Sequence, residues 1–191
     1  NSPNLNMVLD MDSSNKIEPV ELGEQIWNDH GRIILLNCYN IGLEGNIPES
    51  IGNLTELTHL GLKNNSLEGV IPESIGNLTK LSQLSISTNN LSGNIPENIG
   101  LLTNIDTLWL NDNNLSGEIP PSITNLTDLN HLYLQDNNLN GSIPYNIGDL
   151  DSLKYLYLDN NDFEGEIPQS IGNLTYLKRL YLLYNNLSGQ I

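Results

Sequence analysis

The chain has 191 residues, 38% hydrophobic and 16% charged, and its 23 acidic residues against 7 basic ones leave a formal net charge of -16. Such a surface repels phosphate backbones and anionic headgroups, which argues against sequence-tolerant nucleic-acid binding and docking on acidic membranes and favours basic or neutral partners. No apolar run approaches the ~20 residues that span a bilayer, so no membrane insertion is expected within this segment.

The lone cysteine, Cys38, excludes an internal disulfide. The first residue is Asn1 with no leader in view, so the chain reads as a processed or trimmed product. Residues 1–32 stand outside the pattern that governs everything after them and are assigned as a non-standard N-terminal cap. Residues 1–16, rich in Asn, Ser and Asp, are expected to be irregular. Pro19, with Glu18 beside it, suits the first turn of a helix, from which Val20, Leu22, Ile26 and Trp27 would cover the end of the core.

From residue 33 one frame returns every 24 residues. Counting Leu57 as position 1, apolar residues fall at Leu60, Leu62 and Leu67 (positions 4, 6 and 11) and at Ile71, Ile75 and Leu78 (positions 15, 19 and 22). Asn65, Gly69 and Pro72 hold positions 9, 13 and 16. The frame restarts at Leu81, Ile105, Leu129, Leu153 and Leu177, with a looser copy at Ile33, giving seven copies over residues 33–191, the last incomplete at Ile191. Positions 4 and 6 point to one side of a short strand. Positions 19 and 22 suit a turn of 3₁₀ helix. One copy has too few apolar side chains to exclude water, so the copies must stack on a shared core. The last copy carries no C-terminal cap, so the natural protein, or a partner covering that coil, is expected to continue beyond Ile191. Self-association through the uncapped coil is the corresponding expectation.

Position 9 reads Asn65, Asn89, Asn113, Asn137, Asn161 and Asn185. An Asn among apolar positions is costly unless its amide is hydrogen-bonded, so these six are read as a buried structural ladder serving the bend after the strand. Gly at position 13 and Pro at 16 fit a tight, extended return segment. Cys38 occupies core position 6 of the first copy and reads as a small buried apolar residue.

The unit Leu57–Lys80, LTHLGLKNNSLEGVIPESIGNLTK, resembles the leucine-rich repeat in its plant-type 24-residue class, marked by L-x-G-x-I-P and the I-G-N-L-T that follows. The resemblance implies an α/β repeat solenoid: a right-handed curved coil with a parallel β-sheet on its concave face and 3₁₀ or irregular segments on the convex side. It also implies a non-enzymatic, receptor-like recognition scaffold, commonly extracellular or at the cell surface. Trp27, Gly31 and Arg32 resemble the end of that family's N-terminal cap without its cysteine pair, which keeps an intracellular location open. Eight N-x-S/T triplets, at Asn53, Asn64, Asn77, Asn90, Asn114, Asn125, Asn173 and Asn186, are by-products of the repeated words, and would be glycosylation acceptors only in a secreted protein.

Positions 2, 3, 5, 7 and 8 are expected to face solvent on the concave side, where function would be written. Position 5 carries Trp109, Tyr133, Tyr157 and Tyr181 in four consecutive copies, a column of roughly 14 Å. Tyr39, Tyr155 and Tyr184 lie at other concave positions. Trp and Tyr dominate binding hot spots because they bury much area at low entropic cost, although stacked aromatics also stabilise a sheet by themselves. Asp106, Asp112, Asp136 and Asp159 lie beside the column; Asp112 and Asp136, ~5 Å apart across adjacent strands, read as a solvated acidic face because an open sheet lacks the dry cleft a catalytic acid needs. Lys154, Lys178 and Arg179 form a small basic cluster. His59 and His131 share position 3 but stand roughly 14 Å apart, too far to share a metal. With no Ser/His/Asp arrangement, P-loop or CxxC, no catalytic site, metal or cofactor is assigned.

The leading expectation is a scaffold that binds a protein or peptide on its concave face through Trp109, Tyr133, Tyr157, Tyr181, Tyr155, Tyr184, Asp112, Asp136 and Arg179. Carbohydrate or cell-wall binding, and a structural or assembly role, are the alternatives.

Overall fold

A computed structural model describes residues 23–189. The expectations for residues 1–22, including the helix from Pro19 and the packing of Val20 and Leu22, lie outside the described residues, as does Ile191.

Two sheets run the length of the molecule. The first has eight strands: β1 (Glu24–Trp27), β2 (Ile33–Asn37), β4 (His59–Gly61), β6 (Gln83–Ser85), β8 (Thr107–Trp109), β10 (His131–Tyr133), β12 (Tyr155–Tyr157) and β14 (Arg179–Tyr181), paired in that order. All pairs from β2 onward are parallel and in register, so every residue sits beside its counterpart 24 residues away. The central leucine of each short strand points into the core: Leu60, Leu84, Leu108, Leu132 and Leu156 are fully buried. The second sheet is parallel too and contains β3 (Glu44–Asn46), β5 (Ser66–Gly69), β7 (Asn90–Gly93), β9 (Asn114–Gly117), β11 (Asn138–Gly141), β13 (Asp162–Glu166) and β15 (Asn186–Ser188). The return segment expected from position 13 is therefore itself a sheet. Its glycines, Gly69 to Gly165 at every twenty-fourth residue, hold φ between 71° and 79°, a left-handed conformation that explains the residue type.

The convex side is a chain of 3₁₀ turns. Ile75 N–H donates to Pro72 C=O, Leu78 to Ile75 and Leu81 to Leu78, and the pattern recurs along the chain. Pro48, Pro72, Pro96, Pro120 and Pro168 at position 16 enter their turns in extended conformation, and the ring costs nothing where no N–H is needed. Position 20 decides how closely the coils approach. A Cβ on Gly100 would lie 2.5 Å from the Ser122 carbonyl oxygen, and Gly52 and Gly76 are equally tight. Thr124 is the exception. It carries a side chain at that position, its hydroxyl donates to Pro121 C=O and accepts from Asn146 Nδ2 at 2.8 Å, and the next 3₁₀ turn shrinks to Ile147–Asp149.

The buried asparagines stitch consecutive coils. Asn113 Oδ1 accepts the Leu91 N–H at 3.1 Å, while its Nδ2 donates to Ile86 and Leu110 C=O, each at 3.1 Å, and to Asn111 C=O at 3.2 Å. Asn65, Asn89, Asn137, Asn161 and Asn185 repeat this arrangement. The coil each amide reaches is the preceding one.

At the N-terminal end β1 pairs antiparallel with β2. Ile26 and Trp27, expected on a helix covering the core, instead lie on this strand and stay largely exposed. The reason is the edge itself. A strand satisfies the open N–H and C=O groups of β2, which a helix laid over the core would leave unpaired. Cys38 is buried behind this edge, and desolvation pushes its thiol from 9.0 up to about 12.

These observations predict three outcomes. Asn113→Ala strands four backbone partners and should lower stability by about 1–3 kcal/mol in urea unfolding. Gly100→Ala should destabilise by about 1–3 kcal/mol through overpacking, whereas Gly172→Ala, with nothing within 4 Å, should be near neutral. For Cys38 the folded state favours the neutral thiol, so its contribution is complete below the unfolded pKa and is lost as pH rises from about 9 towards about 12. Iodoacetamide at pH 8 should therefore label Cys38 slowly in the native protein and rapidly in denaturant.

Candidate functional site

The in-register sheet turns a sequence period into physical columns. Trp109, Tyr133, Tyr157 and Tyr181 are the last residues of β8, β10, β12 and β14 and lie side by side on the face opposite the core leucines. Their rings form one continuous stack. Trp109 and Tyr133 have centroids 6.1 Å apart at 20°, Tyr133 and Tyr157 4.5 Å at 13°, and Tyr157 and Tyr181 4.5 Å in an edge arrangement at 72°. Burial in the stack raises the Tyr133 pKa, with the neighbouring Tyr157 and Tyr155 adding to it.

A second column runs beside the first. Tyr155 stacks on His131 at 4.8 Å and 11°, and His131 meets Tyr133 edge-on at 6.1 Å. His131 Nδ1 stands 3.8 Å from Asp106 Oδ1, which also accepts from Thr107 Oγ1 at 2.6 Å, while Asp106 Oδ2 accepts from Asn130 Nδ2 at 2.6 Å. The histidine's part in the aromatic surface escaped the sequence reading, which weighed it only as a metal ligand. The signal was present: positions 3 and 5 lie on the same face of a strand. Tyr39 also reaches this surface, its ring lying where a Cβ on Gly61 would sit.

The remaining candidates fall elsewhere. Asp112, Asp136 and Tyr184 occupy position 8, which is not in the strand: φ there is 54°, 57° and 56°, the left-handed turn leaving the sheet. Asn and Asp tolerate that conformation, which accounts for much of their recurrence at this position. Asp136 accepts from Asn160 Nδ2 at 2.8 Å, and Asp112 from Asn111 Nδ2 at 2.5 Å. Asp159 follows on the same flank, its pKa raised by burial and further by Asp136. Tyr184 is 78% exposed and stands apart from the stack. Arg179 Nη1 donates to the Tyr157 hydroxyl at 3.4 Å, and this contact is the main reason its pKa is raised. Not every position expected to face solvent does so: Ser85, Ser87 and Thr107 are buried. Among the described residues no group of three metal-ligating side chains converges, and no helix is long and apolar enough to cross a membrane.

The leucine-rich repeat region family model matches residues 88–190, and the single leucine-rich repeat matches residues 56–78. No curated protein matches the chain. Among solved structures, the crystal structure of PEPR1–AtPEP1 is 38% identical with a TM-score of 0.86, over 90% of this chain and 25% of that one. The Arabidopsis receptor kinase HAESA, in complex with the peptide hormone IDA and the co-receptor SERK1, is 41% identical with a TM-score of 0.76, over 78% of this chain and 25% of that one. Pollen Receptor Kinase 3 is 29% identical with a TM-score of 0.78, over 96% of this chain and 92% of that one. The chain thus spans about a quarter of the length of the first two. Matched over more than half its length by the repeat-region family, and built as a solenoid like these receptor ectodomains, the chain belongs to the plant-type leucine-rich repeat family.

Proposed function

We propose that the chain is a non-enzymatic recognition scaffold that binds a peptide or protein segment on the face bearing the aromatic stack. The observation that carries this reading is the stack itself: four aromatic side chains, one per coil, concentrated on a surface where packing against the core does not require them. HAESA, similar in sequence and fold, is seen holding a peptide hormone, which supports a peptide ligand here.

The geometry favours a peptide over a sugar. Carbohydrates stack on the open faces of aromatic rings. Here the faces of Tyr133 and Tyr157 are turned to each other at 4.5 Å, and that of Tyr155 to His131 at 4.8 Å. No sugar enters between those rings, and the edges and hydroxyls they leave, with the edge-on Tyr181, suit the alternating polar and apolar groups of a polypeptide.

The test is selection of binders from a random-peptide phage library on the native chain. Enriched peptides should lose about tenfold or more in affinity towards a Trp109→Ala, Tyr133→Ala variant, as expected when hot-spot aromatics are truncated. The variant should remain folded by circular dichroism, because both side chains lie outside the leucine core. Equal binding to the variant would place recognition elsewhere on the molecule.

A further inference from the structure

The strongest charge anomaly in the molecule sits at one end of the stack. Lys154, Lys178 and Arg179 are three of only seven basic residues in a chain with 23 acidic ones. Lys154 and Lys178 hold the same position in consecutive coils, and the backbone ties them together: Lys178 and Arg179 N–H both donate to Lys154 C=O, at 2.8 and 3.2 Å. Side chains on neighbouring strands start about 5 Å apart, so the two lysines bring like charge to one part of the flank. Among the described residues, none of the three cations has a carboxylate within 4.0 Å. Lys80, by contrast, holds Glu56 at 2.6 Å. In so acidic a chain, three neighbouring cations without a carboxylate partner leave that part of the flank open to an incoming anion.

The surroundings give the spot shape. Arg179 is held against the Tyr157 hydroxyl, which uses one of the five guanidinium donors and orients the group beside the Tyr157–Tyr181 edge. Asp112, Asp136 and Asp159 leave the strands at the opposite end, at positions 7 and 8 rather than 2 and 3, and Asp106, two coils before Lys154 at position 2, is occupied by Thr107 and Asn130. Over the last two coils the aromatic column therefore stands between those carboxylates and the three cations.

We propose that Lys154, Lys178 and Arg179 form an anion-binding corner that takes side-chain carboxylates of an acidic peptide segment, whose neighbouring aromatic or apolar residue rests on the Tyr157–Tyr181 edge. The inference rests on the peptide-binding reading above and refines it: net charge favours basic partners, whereas this corner selects a segment with a local acidic patch. Charge complementarity is the argument for that occupant.

Fluorescence anisotropy with a labelled peptide of alternating glutamate and tyrosine tests it, with the same peptide carrying glutamine in place of glutamate as reference. The glutamate peptide should bind about tenfold more tightly at low salt, and the advantage should shrink as salt is raised. K154Q, K178Q and R179Q combined should abolish the advantage, while Lys80→Gln leaves it intact. The triple variant should stay folded by circular dichroism, because it loses no ion pair and, beyond the Arg179–Tyr157 contact, no hydrogen bond of the three side chains. No preference for glutamate, or a preference that survives the triple change, would overturn the corner. Glutamine-peptide binding that depends on Trp109 and Tyr133 but shows no glutamate advantage sinks this inference alone, whereas indifference to both sets of changes sinks the peptide-binding reading with it.

Discussion

One amide per coil fixes the register of this molecule. Asn113 binds four backbone groups, two of them in the preceding coil, and its equivalents do the same along the chain. A three-residue strand has few ladder hydrogen bonds with which to hold its neighbour, and sheets slip where register is weakly specified. The asparagine removes that freedom. It sits where strand gives way to turn, so backbone groups that the short strand leaves unpaired are satisfied by a side chain instead of by water. An unpaired amide in that place would be expensive, and the expense is what makes the register specific. Leucine burial penalises a one-residue slip, which would turn the core leucines outward, but tolerates a two-residue slide, in which one leucine replaces another.

Fixed register has consequences on both faces. On the convex side it brings every position 20 against the next coil, so glycine is required wherever the turns stack fully. Thr124 shows what a side chain there entails: hydrogen bonds to Pro121 and Asn146 and a shortened turn in the following coil. On the opposite face the same register converts four separate residues into a stack with ring spacings from 4.5 to 6.1 Å. The stack is thus a product of the ladder. Shifting one coil by a single residue would send its tyrosine to the core side and break the surface at that point.

The repeat made the core highly legible from sequence, because burial at a fixed period leaves the same mark each time. Leu60, Ile75 and Leu78 could be assigned from spacing alone, and Asn65 from the cost of burying it. What escaped were features set by backbone conformation and by pairing. The left-handed turn at position 8 is written only as a preference for Asn and Asp, a preference Thr88 and Tyr184 ignore, so Asp112 and Asp136 read as surface chemistry when they are first of all turn residues. The second sheet escaped for a similar reason: glycine at position 13 announces a left-handed residue but says nothing of which strand lies beside it. The cap escaped because β1 answers to an open sheet edge, a demand that arises only once the first coil is folded.

Packing within the stack also constrains how the surface can recognise anything. Rings turned face to face have spent their apolar faces on each other, which makes the column rigid before a partner arrives and lowers the ordering cost of binding. What the column then offers is edges, hydroxyls, the edge-on Tyr181 and the charges on either side. Carboxylates on one side and, over the last two coils, cations on the other give the C-terminal end of the surface a direction. A partner with one sign of charge throughout is attracted on one side and repelled on the other, so discrimination comes as much from the repulsion as from the contact. With the leucine core nearly the same in every coil, the proposed recognition rests on positions where the repeats differ, and the aromatic ones among them run from Trp109 to Tyr181.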